Sequence, residues 1–159
     1  VIEGLKKLKN KFIFIIITNQ SGIGRGIFKE QDMHNFNKIL INELKKENIE
    51  LKKIYHCPHN PKEICQCRKP STKYIKEAAK EFDIDINNSW TLGDHPHDVE
   101  MGLKARTKAI YLLTGHGQKH FDDLKRKNIN PNFIAKDFLE ATEFILENEL
   151  PRPKGRGIQ

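Results

Sequence analysis

The apolar positions of this chain fall into two periods. Phe12 to Ile17 is an unbroken apolar run rich in β-branched residues, the pattern of a strand buried on both faces of a parallel sheet. Before it, Ile2, Leu5 and Leu8 share one face of a short helix over Val1–Asn10. That helix has no turn ahead of it to begin it, so the chain reads as starting in the middle of something. Lys29–Glu47 carries Met33, Phe36, Leu40 and Leu44 as a predicted buried helical stripe, with Asn48 as its stop. Leu51–Tyr55, Asn88–Leu92 and Ala109–Leu113 read as further strands. Pro70–Phe82, Val99–Ala105, Asp122–Lys127 and Asp137–Glu149 read as helices, with Ile134 on a short segment between the last two. Helices alternating with strands predict an α/β, doubly wound parallel sheet, in one domain over residues 1–150. Residues 151–159 hold two prolines, two glycines and three cations, and read as a disordered basic tail.

Composition narrows the setting. A chain of 159 residues suits one domain with a sizeable core. With 37% apolar and 31% charged residues it reads as soluble. Phe12–Ile17 is too short to span a bilayer, and the mixed, charged Val1–Lys11 is no secretory segment. The expectation is a cytoplasmic monomer with no membrane partner. The net charge of +7 fits a phosphate-bearing ligand, nucleic acid or a lysine-rich surface. The lysines are spread along helical stretches, which favours the surface. No motif or interleaving of aromatic and basic residues points to nucleic acid.

All three cysteines lie in Tyr55–Pro70, YHCPHNPKEICQCRKP. Cys57 and His59 are spaced i and i+2, and so are Cys65 and Cys67. On extended backbone each pair points to one side. Three thiolates and an imidazole make a closed tetrahedral set for a structural Zn2+. Three buried free thiols are the plainer alternative, and a disulfide would leave one cysteine over.

Ligands of open α/β sheets bind at the carboxyl ends of strands. Thr18, Asn19, Gln20 and Ser21 follow the first strand there, and the Gly22–Gly26 stretch carrying Arg25 reads as a flexible cationic loop. A polar turn is the alternative. Lys69, with Pro70 behind it, is expected at a helix N-terminus, where anions are favoured. Asp94 and Asp98 follow the strand at Asn88–Leu92. Carboxylates suit Mg2+ and Asp98 also suits a helix cap, so Asp94 is expected as the ligand and Asp98 as the cap behind it. His34, His116 and His120 read as surface histidines.

The run C-x-H…C-x-C-R-K-P, the stretch TNQSG and the pattern GDxxxD resemble the zinc-containing branch of the haloacid dehalogenase-like phosphatases. That branch includes heptose 1,7-bisphosphate phosphatases and histidinol-phosphate phosphatase domains. The resemblance runs from Val1 to about Leu150. It implies a Mg2+-dependent phosphomonoesterase with a structural Zn2+ loop, acting on a small phosphorylated sugar. Thr18, Asn19 and Lys69 would hold the phosphoryl group, and Ser21, Arg25 and Arg68 would contact substrate. Asp94 would bind Mg2+; Cys57, His59, Cys65 and Cys67 would bind zinc. TNQSGIGRG looks more like the heptose enzymes than the histidinol-phosphate ones. His95 departs from the basic residue many members carry.

The family's first strand ends in Asp-x-Asp, whose first aspartate attacks phosphorus to form an aspartyl-phosphate. The only Asp-x-Asp here, Asp83-Ile84-Asp85, follows a helix and reads as a turn. By resemblance the missing strand is central, between the strands at Phe12 and Thr91. The sequence is then truncated, receives that strand from another chain, or is a degenerate member serving as an inactive binding or structural module.

Overall fold

The computed structural model describes residues 1–149; the expected basic tail lies outside them. The elements in chain order are α1 (Ile2–Leu8), β1 (Phe14–Asn19), α2 (Ser21–Gly24), α3 (Glu30–Lys46), β2 (Leu51–Cys57) and α4 (Lys73–Phe82). They continue as β3 (Trp90–Gly93), α5 (Pro96–Ala105), β4 (Lys108–Leu112), α6 (Phe121–Arg126), β5 (Phe133–Ala135) and α7 (Phe138–Glu149). All strand pairs are parallel, as helical crossovers require.

The strands form two sheets. β1 pairs with β2, and β3, β4 and β5 pair in that order. Among the described residues no ladder joins β1 to β3. Between them runs a groove of about 1110 Å³, lined by Ile15, Ile16 and Ile17 on one side and Trp90, Thr91 and Leu92 on the other. Alternate strand residues face opposite ways, so consecutive lining residues mean that the groove follows the strand edges. Two unpaired backbone edges therefore open onto one apolar slot. The expected parallel α/β architecture is observed, and among the described residues no strand lies between β1 and β3.

Most of the core lies on the three-stranded side. β4 is the buried centre: Ala109, Ile110 and Tyr111 are fully buried. One cluster groups Leu8, Ile110, Ala135, Ala141 and Ile145; another groups Val99, Ala109, Tyr111, Leu124 and Ile129. α1 crosses to this side, where Gly4 sits tight against Thr142 and Phe138. Phe133 and Phe144 stack with centroids 4.1 Å apart.

Several expectations need correction. β1 is half-buried throughout instead of buried on both faces, because its free edge lines the groove. It also runs through Thr18 and Asn19, which bridge to His56 and Cys57. Of the α3 stripe Met33 and Leu44 are buried, but Phe36 is 65% exposed. A two-stranded sheet is too narrow a floor for the whole stripe. The Gly22–Gly26 loop is partly helical: Ile23 N–H bonds the Gln20 carbonyl and Arg25 N–H that of Ser21. The segment at Ile134 is a third strand of the larger sheet. Asp83 ends α4 in the left-handed region and Asp85 caps a short 3-10 turn, as expected of a turn.

Candidate active site and metal centre

β2 delivers Cys57, fully buried, to the carboxyl end of the smaller sheet. The chain then turns through His59 and returns through Cys65 and Cys67. Cys57 Sγ lies 3.5 Å from His59 Nδ1 and 3.6 Å from Cys65 Sγ, and Cys67 Sγ lies 3.3 Å from His59 Nδ1. All four ligand atoms fall within 4.8 Å of one another. A tetrahedron with Zn–S near 2.3 Å has edges of about 3.7 Å, so the donor set fits zinc. Burial first, then the Cys67 sulfur, pushes the Cys57 thiol up to about 12. Burial opposes ionisation of Cys65 as well, but backbone N–H groups of Arg68 and Cys67 bring it below its ordinary value.

The loop is pinned from several sides. Gly24 N–H donates to the Pro58 carbonyl at 2.8 Å, and any Cβ on Gly24 would strike the backbone of His59 and Asn60. The Arg68 guanidinium donates to the His59 carbonyl, so Arg68 is tied to the zinc loop. Its Nε is buried with no partner among the described residues. Tyr74 Oη donates to the His56 carbonyl at 2.7 Å.

Lys69 follows directly and bridges the two sheets. Its backbone N–H donates to Asn19 Oδ1 at 3.0 Å, and its Nζ donates to the Ile17 carbonyl at 3.0 Å. The same Nζ pairs with Asp98 Oδ1 at 2.6 Å, across the groove from β1. Lys69 is not at a helix N-terminus, contrary to expectation. Ser71 N–H bonds the Arg68 carbonyl and its hydroxyl bonds that of Gln66, closing a turn, so α4 begins only at Lys73. Asn19 thus serves to hold Lys69. The Thr18 hydroxyl accepts from Gln20 Nε2 at 3.3 Å. Ser21 opens α2 and the exposed Arg25 closes it.

Asp94 leaves the carboxyl end of β3. Its Oδ2 accepts the backbone N–H of His116 at 2.9 Å. That contact requires Gly115, which has φ +57° and sits so close to the carboxylate that a Cβ would overlap it. Tyr111 Oη, fully buried, donates to the Gly117 carbonyl at 2.7 Å and fixes the turn from below. Asp98 is the third helical residue of α5, which starts at Pro96 instead of Val99, and His95 is the cap. Asp98 Oδ2 accepts His95 N–H at 3.1 Å while Oδ1 holds Lys69, so both oxygens are engaged. Asp94 remains as the carboxylate with room for Mg2+, an ion that keeps several waters and takes one or two carboxylates.

The structure therefore brings Thr18, Asn19, Lys69, Asp94 and Asp98 to one edge, with the cysteine cluster beside them. Thr114–Gly117 reads in the sequence as a turn at a strand's carboxyl end, as observed; its contact with Asp94 through the His116 N–H is what the sequence did not show.

Residues 66–141 match the HAD-hydrolase-like family model. A D-glycero-alpha-D-manno-heptose-1,7-bisphosphate 7-phosphatase of Campylobacter jejuni is 41% identical over 133 residues, covering 84% of this chain and 75% of that protein. A D-glycero-beta-D-manno-heptose-1,7-bisphosphate 7-phosphatase of Haemophilus influenzae is 34% identical over 131 residues, covering 74% of this chain and 71% of that one. Among solved structures, the D,D-heptose 1,7-bisphosphate phosphatase of B. bronchiseptica, complexed with magnesium and phosphate, superposes with a TM-score of 0.82. It is 23% identical and covers 92% of this chain and 82% of that one, a likeness of fold.

Proposed function

This chain belongs to the haloacid dehalogenase-like phosphatases, and on that premise we propose that it is a magnesium-dependent phosphomonoesterase releasing phosphate from a heptose 1,7-bisphosphate. The observation that carries the reading is Lys69, held by Asn19 and Ile17 on one sheet and by Asp98 on the other. The relatives described above, heptose bisphosphate 7-phosphatases, favour this over a histidinol-phosphate phosphatase and over an inactive module.

In this reading Lys69 and the Thr18 hydroxyl bind the phosphoryl oxygens at the strand ends, where fixed donors stabilise charge as it develops. Asn19 orients Lys69. Asp98 keeps the ammonium aimed at the slot between the sheets. Asp94 would hold Mg2+, which when bound offsets the charge of the phosphate. Zn2+ on Cys57, His59, Cys65 and Cys67 would take no part in the chemistry and would fix the loop that presents Arg68 and Lys69. Ser21 and Arg25 would contact the sugar, as the family resemblance implies. No aspartate of the described residues is placed to attack phosphorus. The attacking carboxylate is therefore assigned to a parallel strand lying in the groove between β1 and β3. The setting is the cytoplasm, where the three thiols stay reduced, and the working form is a monomer.

The test is phosphate release, with Mg2+, by the chain joined to an apolar strand ending in Asp-x-Asp. Turnover of heptose 1,7-bisphosphate to the 1-phosphate well above that of histidinol phosphate is expected. The reverse preference would give the second reading.

A further inference from the structure

Glu30 has an unusual pair of partners. The chain holds 28 lysines and arginines against 7 histidines, yet both cationic neighbours of this carboxylate are imidazoles. His56 Nε2 donates to Glu30 Oε1 at 2.7 Å, and His34 Nε2 lies 3.9 Å from the same oxygen. Among the described residues no lysine or arginine forms an ion pair with Glu30. Nothing in the proposed chemistry uses these three side chains.

The fold holds them in place. Glu30 opens α3 and His34 stands four residues on, so both project from one face of the helix. His56 belongs to β2 and pairs with Thr18 of β1. Its carbonyl accepts the Tyr74 hydroxyl at 2.7 Å. All three residues thus sit on a helix or a paired strand. The His56 side chain is only 19% exposed, whereas those of His34 and Glu30 are about half exposed and can adjust to a ligand.

The geometry is close to that of a metal site. A tetrahedral ion bound at about 2.0 Å separates neighbouring ligand atoms by about 3.3 Å, and sets two imidazole centroids about 5.2 Å apart. The oxygen–nitrogen distances of 2.7 and 3.9 Å straddle the first figure. The His34 and His56 centroids, 5.7 Å apart with the rings at 89°, lie near the second. The adjustment needed falls to the exposed His34 and Glu30. Two imidazoles and one carboxylate, with a fourth position open to water, suit a first-row transition ion. They do not suit Mg2+, which takes oxygen ligands. Such an ion displaces the imidazole protons that now face Glu30. The other histidines lack this arrangement. They form a rim at the starts of α5 and α6, where the His95 centroid is 4.6 Å from His97 and 4.7 Å from His120. There Asp123 meets only His120.

We propose that Glu30, His34 and His56 form a second metal site, separate from the cysteine cluster, that takes a divalent transition ion such as Zn2+ or Co2+. The ion ties the first turn of α3 to the strand that delivers Cys57. An exposed site with three protein ligands loses its ion on dialysis, so the zinc retained after purification is that of the cysteine cluster. The inference does not depend on the phosphatase reading.

The test is Co2+ titration of the dialysed, zinc-loaded 159-residue chain with excess Mg2+ present. One further equivalent of Co2+ should bind, with the visible absorption of nitrogen and oxygen ligands and without the sulfur-to-cobalt band of a cysteine site. The imidazole 15N resonances of His34 and His56 should broaden, while those of His95 and His120 stay sharp. Glu30→Gln and His34→Ala, both surface changes, should each weaken Co2+ by more than about tenfold, since even partners outside the ligand set are worth that much. Their retained zinc should be unchanged. Absence of a further equivalent, Co2+ affinity indifferent to both substitutions, or broadening centred on His95 and His120 would each overturn the site.

Discussion

The two sides of the groove are held together by different means. The C-terminal side has three strands, and its middle strand is buried along Ala109, Ile110 and Tyr111 between two apolar clusters. Its order comes from packing, since burying a large aliphatic side chain contributes about 2 kcal/mol. The N-terminal side has two strands, and α3 above them leaves Phe36 and Ile39 exposed. Two of its buried side chains, Cys57 and Cys67, are members of the zinc-fitting cluster. Where a sheet is too narrow to build a full core, a metal can supply the missing free energy. The difference bears on function: the narrow side carries Lys69, so a metal held by the cluster would fix the position of a lysine that packing alone would leave loose.

The sharpest way to break this comparison is to remove the metal. Chelation, or Cys65→Ser, should leave the zinc loop and β2 open to hydrogen exchange, because structural zinc sites are worth on the order of 10 kcal/mol at neutral pH. β4 amides should keep their protection. Equal loss on both sides, or none on β2, would show that the two halves are stabilised alike. The converse experiment is Ile110→Ala, which removes a fully buried side chain of β4. It should cost about 3 kcal/mol in urea unfolding and leave zinc content at one equivalent. The smallest effect concerns Glu149, which accepts from Trp90 Nε1 and Lys108 Nζ, each at 3.0 Å. The Trp90 N–H first, then Lys108, hold its carboxyl below the ordinary 4.5. A depressed carboxyl contributes stability that is present above its unfolded value and lost as the pH falls through the folded one. Glu149→Gln should therefore destabilise the C-terminal side by less than about 1 kcal/mol at pH 7, and the gap to the unsubstituted chain should close below pH 4.5. A gap that persists at low pH would assign the effect to packing.

The same contrast explains what could be read from the sequence. Strand runs such as Phe12–Ile17 and Ala109–Leu113 are legible because continuous apolar stretches have few other uses. The cysteine cluster is legible because its four ligands lie within eleven residues of chain and declare themselves by spacing. Phe36 misled because an amphipathic stripe predicts a face and not the width of the sheet beneath it. The partners of Lys69 were illegible: Asn19 and Ile17 stand about fifty residues away, and only the parallel register of β1 with β2 brings them there. The histidine rim depends likewise on α5 and α6 meeting, which no local pattern encodes. α5 itself begins earlier than its apolar residues suggest, because His95 and Asp98 form a reciprocal cap around Pro96.

The central claim is that the narrow side, the wide side and an aspartate-bearing strand between them make one phosphatase site. Phosphate release from heptose 1,7-bisphosphate with Mg2+ measures it most directly, comparing the 159-residue chain with the same chain joined ahead of Val1 to an apolar strand ending in Asp-x-Asp. The account predicts negligible turnover by the first, since losing a covalent nucleophile and an acid–base group together costs several orders of magnitude. It predicts robust turnover by the second, abolished when the first aspartate of that strand is replaced by asparagine. Robust turnover by the 159-residue chain alone would contradict it, because a nucleophile would then lie among Thr18, Lys69, Asp94 and their neighbours.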